Sequence, residues 1–233
     1  VEIPRLGTIN VHPSLLPRFR GASPVQRCIE RGESRTGISL LFTVLKMDSG
    51  PILKQDVIHL SGFEKSPDVM LDLFKIGTKS LVTLLPKVFD GSAETYEQDE
   101  KEATDAPKID SSESPCNFSQ STALQIHNKV RAFAGWPGAW VYFSFGRAEA
   151  KKLKLITTEV VKESESEDNI GAVAADNGIL EVTCKNHSKL AILEVQPEGK
   201  KVMPTKAFLN GVKDKKTIKW VPFVEITTTP SKK

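Results

Sequence analysis

Cysteine is scarce. Among 233 residues there are three, Cys28, Cys116 and Cys184, an odd number with no paired or metal-like spacing. That argues against a disulfide framework and for a reducing compartment. Long apolar runs are also missing, and the longest are far too short to span a bilayer, so no membrane contact is expected. No Walker pattern, dinucleotide fingerprint or Ser-centred nucleophile elbow occurs, and His59, His127 and His187 are scattered without ligand spacing. These absences argue against kinases, zinc hydrolases and serine hydrolases. An initial methionine and a targeting signal are lacking too. The chain opens at Val1, almost directly in a strand, and a parallel sheet needs neighbouring strands joined by crossovers. Further strands are expected upstream.

What is present is ordinary in bulk, with 26% charged and 39% hydrophobic residues, and the length is enough for one large domain or two small ones. The net charge of +3 hides an asymmetry. Residues 1–110 carry 14 Lys and Arg against 16 Asp and Glu, while residues 111–233 carry 18 against 13. The basic excess concentrates at 185–219, where nine lysines meet three acids. Such a face suits a polyanion; a solvated lysine-rich surface explains it equally well. Phe208 and Trp220 are interleaved with these lysines, as stacking platforms or as core.

Hydrophobic period and punctuation divide the chain. A strand ends at Pro13. Ser23-Pro24 opens a short helix with Val25, Cys28 and Ile29 inward, stopped by Gly32. Residues 38–44 read as a buried strand, 45–51 as a loop around Asp48, and Ile52–Leu60 as another strand. Strand, helix, strand is the pattern of a parallel α/β unit. A helical region from Ser66 towards Phe89, broken at Gly77, completes a first domain over 1–91. Residues 92–113 are polar and acidic without apolar period and read as an interdomain linker. The second domain, 114–228, begins with a helix from Ser121 to Phe133. Short strands follow at Val141–Phe145, Leu153–Val161, Ala172–Ala175, Ile179–Cys184 and Leu190–Val195. Asp176-Asn177-Gly178 marks a hairpin, the Glu/Ser run at 163–168 an inserted loop, Thr205–Leu209 a helix and 230–233 a frayed tail. Close-spaced short strands imply a small barrel.

The chemistry concentrates in residues 7–21. Ile9 and Val11 face one way; Asn10 and His12 face the other and reach the end of the strand together. An amide can hold a carbonyl oxygen and an imidazole can move a proton, a pairing suited to acyl transfer. In a parallel sheet the loop holding Asp48 returns to the edge where His12 lies, so Asn10, His12 and Asp48 can converge on one carbonyl. The alternative on spacing alone is a buried hydrogen-bonded His12 and a turn residue Asp48 before Gly50-Pro51.

Ile9-Asn10-Val11-His12-Pro13-Ser14-Leu15-Leu16-Pro17-Arg18-Phe19-Arg20-Gly21 resembles the signature loop of the formyltetrahydrofolate-dependent transferases, and Ala22–Arg27 resembles the version in methionyl-tRNA formyltransferases. Thr36-Gly37-Ile38 with Met47–Leu53 is similar to the family's second motif. Ala132-Phe133 with Trp136-Pro137, and Gly199–Met203 through Phe208–Gly211, resemble the two ends of its C-terminal domain. The resemblance implies an incomplete Rossmann-like formyltransferase domain followed by an OB-like β-barrel that binds tRNA. It implies formyl transfer from 10-formyltetrahydrofolate, a cosubstrate, to the α-amine of initiator methionyl-tRNA, with no metal or tightly held group. Asn10 would hold the oxyanion, His12 would polarise it or relay a proton, and Asp48 would orient His12 and help accept the amine's proton. Ser14, Leu15, Leu16 and Pro17 would line the folate site, and Lys200, Lys201 and Lys206 would meet tRNA. The family's N-terminal strands are not in the chain. Rival readings are a formyltransferase for the amine of a sugar or nucleotide, and a non-catalytic RNA-binding remnant. A monomer is expected. The Gly50–Leu53 variant and the Glu/Ser insertion point to a mitochondrion, with plastid or bacterial cytoplasm as alternatives.

Overall fold

A computed structural model describes residues 4–146, 149–161 and 169–223. The expected loop at 163–168 and tail at 230–233 lie outside the described residues. The chain divides into two compact units, Val1–Ile109 and Asp110–Lys233. Among the described residues no helix is long and apolar enough to cross a membrane.

Among the described residues the first unit holds three strands, β1 (Ile9–His12), β2 (Arg35–Phe42) and β3 (Ile52–His59), with α1 (Pro24–Glu30) and α2 (Ser66–Asp90). The sheet order is β1-β2-β3 and both pairings are antiparallel, with His12 opposite Ser39 and Ile9 opposite Phe42. The parallel α/β unit expected from strand, helix, strand is therefore not what these strands form. A helix between two strands permits a parallel crossover without requiring one. Here α1 is only seven residues long, and the chain turns back through Gly32, whose φ is +74°.

β2 is buried over six consecutive residues, because both of its faces are covered. Ile38 and Leu40 lie under α2, and Leu40 packs with Val88, Ile9 and Val11. Leu41, on the opposite face, packs with Leu16 of the 13–21 loop and with Ile52. A continuous apolar run is the sequence image of a strand covered twice.

α2 runs unbroken through Gly77, where a break was expected. The glycine answers to packing instead. A Cβ there would sit 2.4 Å from Ile38 Cδ1 and 3.0 Å from Val11 Cγ1, so its absence lets helix and sheet approach closely. Gly91, at φ +78°, ends the helix in the left-handed conformation.

The segment expected as a linker, 92–113, departs from that expectation. Residues 93–109 belong to the first unit. Tyr96 exchanges both backbone hydrogen bonds with Ile52, at 2.8 and 3.0 Å, and Ala106 donates to the Arg20 carbonyl at 2.6 Å. Ala106 is fully buried against Phe19 and Cys28. Residues from Asp110 belong to the second unit, where Asp110 and Glu113 close a capping box. The segment shows no apolar period because backbone hydrogen bonds and single buried residues such as Ala106 and Ile109, rather than a repeating apolar face, hold it.

The second unit opens with α3 (Ala123–Ala132), capped by Thr122 and Gln125. Then come β4 (Ala139–Phe145), β5 (Lys151–Val161), β6 (Val173–Asp176), β7 (Ile179–Thr183), β8 (Lys189–Pro197), β9 (Met203–Pro204), α4 (Thr205–Asn210) and β10 (Ile218–Val221). All seven strands join one antiparallel sheet in the order β10-β4-β5-β8-β7-β6, with β9 beside β8. Register shifts between Leu155 and Thr158 curl β5. The path nearly closes: a Cβ on Gly171, just before β6, would lie 2.9 Å from the Trp220 ring on β10. Asn177 and Gly178, at φ +50° and +82°, make the expected hairpin turn. Strands β9 and β10 had no counterpart in the sequence reading. Inside lie Phe118, Ile126, Val130, Phe143, Leu153 and Leu155. Trp220 meets Phe118 edge-on at 5.4 Å, and Phe208 meets Phe145 at 5.5 Å; both rings are therefore core.

Candidate active site

Asn10 and His12 leave β1 on the face opposite Ile9 and Val11, as alternation requires. Asp48 joins them by a route the sequence reading had wrong. Antiparallel pairing puts the 43–51 loop at the start of β1, where Thr43 donates to the Thr8 carbonyl at 2.8 Å. β1 is only four residues long, about 10 Å end to end, so a loop folded back along it still reaches His12.

The carboxylate of Asp48 is the hub. Asn10 Nδ2 donates to Oδ1 at 3.1 Å, the Gly21 backbone N–H donates to Oδ2 at 2.9 Å, and His12 Nδ1 stands 3.6 Å from Oδ2. An amide nitrogen has two hydrogens, and Asp48 takes one of them; the second is left for a developing oxyanion. The spacing of 3.6 Å is too long for a hydrogen bond. What orients the imidazole is instead the Phe19 carbonyl, 3.0 Å from Nε2. A carbonyl only accepts, so Nε2 carries a proton and the lone pair of the neutral ring is at Nδ1, facing the carboxylate. A proton arriving at Nδ1 is stabilised by Asp48, and the buried setting, with His12 5% exposed, strengthens that attraction. The pair can take up and return a proton.

Phe19 and Asp48 both have left-handed backbone, at φ +63° and +50°. For a non-glycine residue that costs on the order of 1–3 kcal/mol and persists only where surroundings enforce it. The segment 96–106 supplies the enforcement. Thr104 Oγ1 accepts the Phe19 N–H at 2.9 Å, and the Thr104 carbonyl accepts the Arg20 N–H at 2.8 Å. Gln98 Nε2 donates to the carbonyls of Asp48 and Gly50, at 2.9 and 2.8 Å. The Gln98 Oε1 accepts from buried Arg20, whose guanidinium also meets Glu100 at 2.9 Å. Bonds from Arg20 and then Lys46 hold the Glu100 carboxyl down at about 2.

Sequence reasoning missed Arg20, Gln98, Glu100 and Thr104. The available signal was charge: five arginines at 18–35 against six acids at 94–105.

Of the residues expected to line a folate, Ser14 and Leu16 turn inward. Ser14 Oγ donates to the Arg18 carbonyl at 2.8 Å and is fully buried, and Leu16 is 4% exposed in its cluster. Their backbones are held by Ser39, which donates to the Ser14 carbonyl at 2.7 Å, and by Gln55, which donates to the Leu16 carbonyl at 2.9 Å. Leu15 and Pro17 are partly exposed. Lys200 and Lys201 sit in the turn between β8 and β9, and Lys206 on α4, all exposed. Burial pushes the thiols of Cys116 and Cys184 up to about 11 and about 12, which disqualifies both as nucleophiles at neutral pH. No group of acidic, histidine and cysteine side chains among the described residues could hold a metal.

Two family models match: one described as formyl transferase over residues 1–85, and one described as formyl transferase, C-terminal domain, over 108–213. The methionyl-tRNA formyltransferase of Lactiplantibacillus plantarum is 33% identical over 211 residues, which is 91% of this chain and 65% of that protein. The methionyl-tRNA formyltransferase of Thermotoga maritima is 40% identical over 151 residues, covering 65% of this chain and 47% of that one. The chain thus spans less than two thirds of the length of these relatives. Among solved structures, an N-formyltransferase of Helicobacter canadensis complexed with folinic acid and dTDP-3-aminofucose aligns with a TM-score of 0.64 at 18% identity. It covers 81% of this chain and 65% of that one, a likeness of fold.

Proposed function

The chain belongs to the formyl transferase family, and from that premise we propose that it transfers a formyl group from 10-formyltetrahydrofolate to the α-amine of initiator methionyl-tRNA. The observation that carries the proposal is the convergence of Asn10, His12 and Asp48 on one point. The amine nitrogen attacks the formyl carbon, and the carbonyl electrons move onto oxygen, where the second N–H of Asn10 meets them. The amine's proton passes to the Asp48–His12 pair at Nδ1. Collapse of the intermediate expels the folate nitrogen, which takes that proton back, and the formamide leaves on the tRNA. The donor is a cosubstrate, and no step calls for a metal. Of the segment expected to line the folate, Leu15 and Pro17 have surface to offer it, while Ser14 and Leu16 contribute backbone.

The same reading takes the first unit as part of a Rossmann-like domain and the second as an OB-like barrel. It gives that barrel the acceptor's phosphates, with Lys200, Lys201 and Lys206 on its surface, and it takes the protein as a monomer. It locates the protein in mitochondria, on the Gly50–Leu53 variant of the second motif. The rival acceptor, a sugar-nucleotide amine, has less support: a sugar 3N-formyl transferase structure shares 17% identity and a likely sugar N-formyltransferase of Mycobacterium tuberculosis 25%, against 33% for the tRNA enzyme.

The test is formyl transfer with 10-formyltetrahydrofolate as donor. Methionyl-tRNA should be formylated, and His12→Ala should lower kcat by about 10²- to 10⁴-fold with unchanged amide exchange in β2. Formylation of dTDP-aminosugars but not of methionyl-tRNA would transfer the proposal to the rival acceptor. Methionyl-tRNA binding with no transfer to any acceptor would leave an RNA-binding protein.

A further inference from the structure

We infer that Gln98 is a positioning residue for Asp48, and that Gln98 and Glu100, which lie outside both motifs, set the reaction geometry together with Arg20 of the first motif; this rests on the catalytic reading above. The amide of Gln98 has a single sensible orientation. Nε2 faces the carbonyls of Asp48 and Gly50, at 2.9 and 2.8 Å, and carbonyls only accept. Oε1 faces Arg20 Nη2 at 2.7 Å and Nε at 3.2 Å, and a guanidinium only donates. Both amide hydrogens and the amide oxygen are therefore committed. Arg20 is itself aimed by Glu100, which takes Nη1 at 3.1 Å and Nη2 at 2.9 Å.

The two carbonyls bracket Ser49, so one amide pins the tip of the loop on which Asp48 stands at φ +50°. The segment 96–106, which straps the site from outside, also holds the other side of the carboxylate. Gly21, which donates to Asp48 Oδ2, follows Arg20, and Arg20 is tied by its backbone to Thr104 and Ala106. Gln98 touches none of Asn10's or His12's reacting atoms; it acts through Asp48. Removal of its donors frees the loop tip, and the carboxylate leaves the position where it meets Asn10, Gly21 and His12 together. A displacement of that kind costs reaction rate rather than binding.

Two variants of the full chain separate this from a role in folding. Gln98→Met keeps length and volume and removes every polar contact. Gln98→Glu keeps an acceptor for Arg20 and removes both donors. Amide exchange of Gly21 reports whether Asp48 is in place, independently of any activity, and Leu40 and Leu41 in β2 report the fold. In both variants Gly21 should exchange roughly tenfold faster or more, with Leu40 and Leu41 unchanged. The kcat for formyl transfer should fall about a hundredfold with KM for the donor within about twofold. Unchanged Gly21 exchange overturns the inference whatever the activity does. Acceleration that spreads to Leu40 and Leu41 in both variants overturns it too, since Gln98 is then a brace of the fold, and so does a loss confined to KM. If the wild-type chain transfers no formyl group, the proposed function falls, and Gly21 exchange still decides whether Gln98 holds Asp48.

Discussion

The loop 13–21 and the strap 96–106 hold the same carboxylate by opposite means. The loop turns side chains inward: Ser14 and Leu16 fill its own base, and Leu16 closes over Leu41 and Ile52. What it offers the site is backbone, namely the Phe19 carbonyl for His12 and the Gly21 N–H for Asp48. The strap leaves most of its side chains exposed and inserts a few, with Gln98 and Thr104 gripping the two left-handed residues of the site. Apolar burial weighs more in the first region and hydrogen bonds weigh more in the second, where Ala106 is the buried apolar anchor. The difference teaches that stability and geometry have separate supports here. Apolar burial tolerates small shifts of position. A hydrogen bond with two donors on two carbonyls does not.

That division can be broken from either side. The largest stability effect should come from the loop. Leu16→Ala should cost about 2–5 kcal/mol, since it empties a buried position, read as faster amide exchange throughout β2. Tryptophan fluorescence gives the control, because Trp136, Trp140 and Trp220 all lie in the second unit and their signal should not move. A small loss would mean that the loop is not the apolar support it looks like. The strap should respond less and more locally. Thr104→Val leaves the Phe19 N–H without its acceptor, at a cost of about 1–3 kcal/mol, and the shift of the His12 ring resonances should report movement of the Phe19 carbonyl. Unmoved His12 resonances would cut the link between strap and imidazole.

The smallest effect should be electrostatic. The Glu100 carboxyl is held below its ordinary value of 4.5, at about 2, by Arg20 and then Lys46. A depressed acid contributes stability above its unfolded value and loses it as pH falls. Acid should therefore loosen the strap between about pH 4.5 and 2, and Glu100→Gln should flatten that dependence, measured as Gly21 exchange against pH. An equal acid response in the variant would remove Glu100 from the line. Because Glu100 is exposed, salt should weaken the effect as well.

Much of this was legible in the sequence. The helical periods and the Asn177-Gly178 hairpin appear where local preference places them, and so do the paired faces of β1. Asn10, His12 and Asp48, singled out from the sequence, do come together in the structure, but not through a parallel sheet: a short antiparallel strand and a folded-back loop make the meeting. Propensity marks Gly77 as a helix breaker, while its neighbours Ile38 and Val11 need the space its missing side chain leaves. Residues 92–113 have the composition of a linker because contacts such as those of Gln98 and Thr104 leave no apolar repeat.

By itself the sequence determined which groups are available for chemistry and where most strands and helices form, since both follow from residue types and from spacings of a few positions. The tertiary structure decided the antiparallel direction of the strand pairing, the nitrogen of His12 that faces Asp48, and the residues that hold Asp48 in place. Those depend on bonds such as Gln98 to Asp48 and Phe19 to Thr104, across separations of 50 and 85 residues. Contacts at that range obey geometry rather than period, so they leave no local pattern to be read.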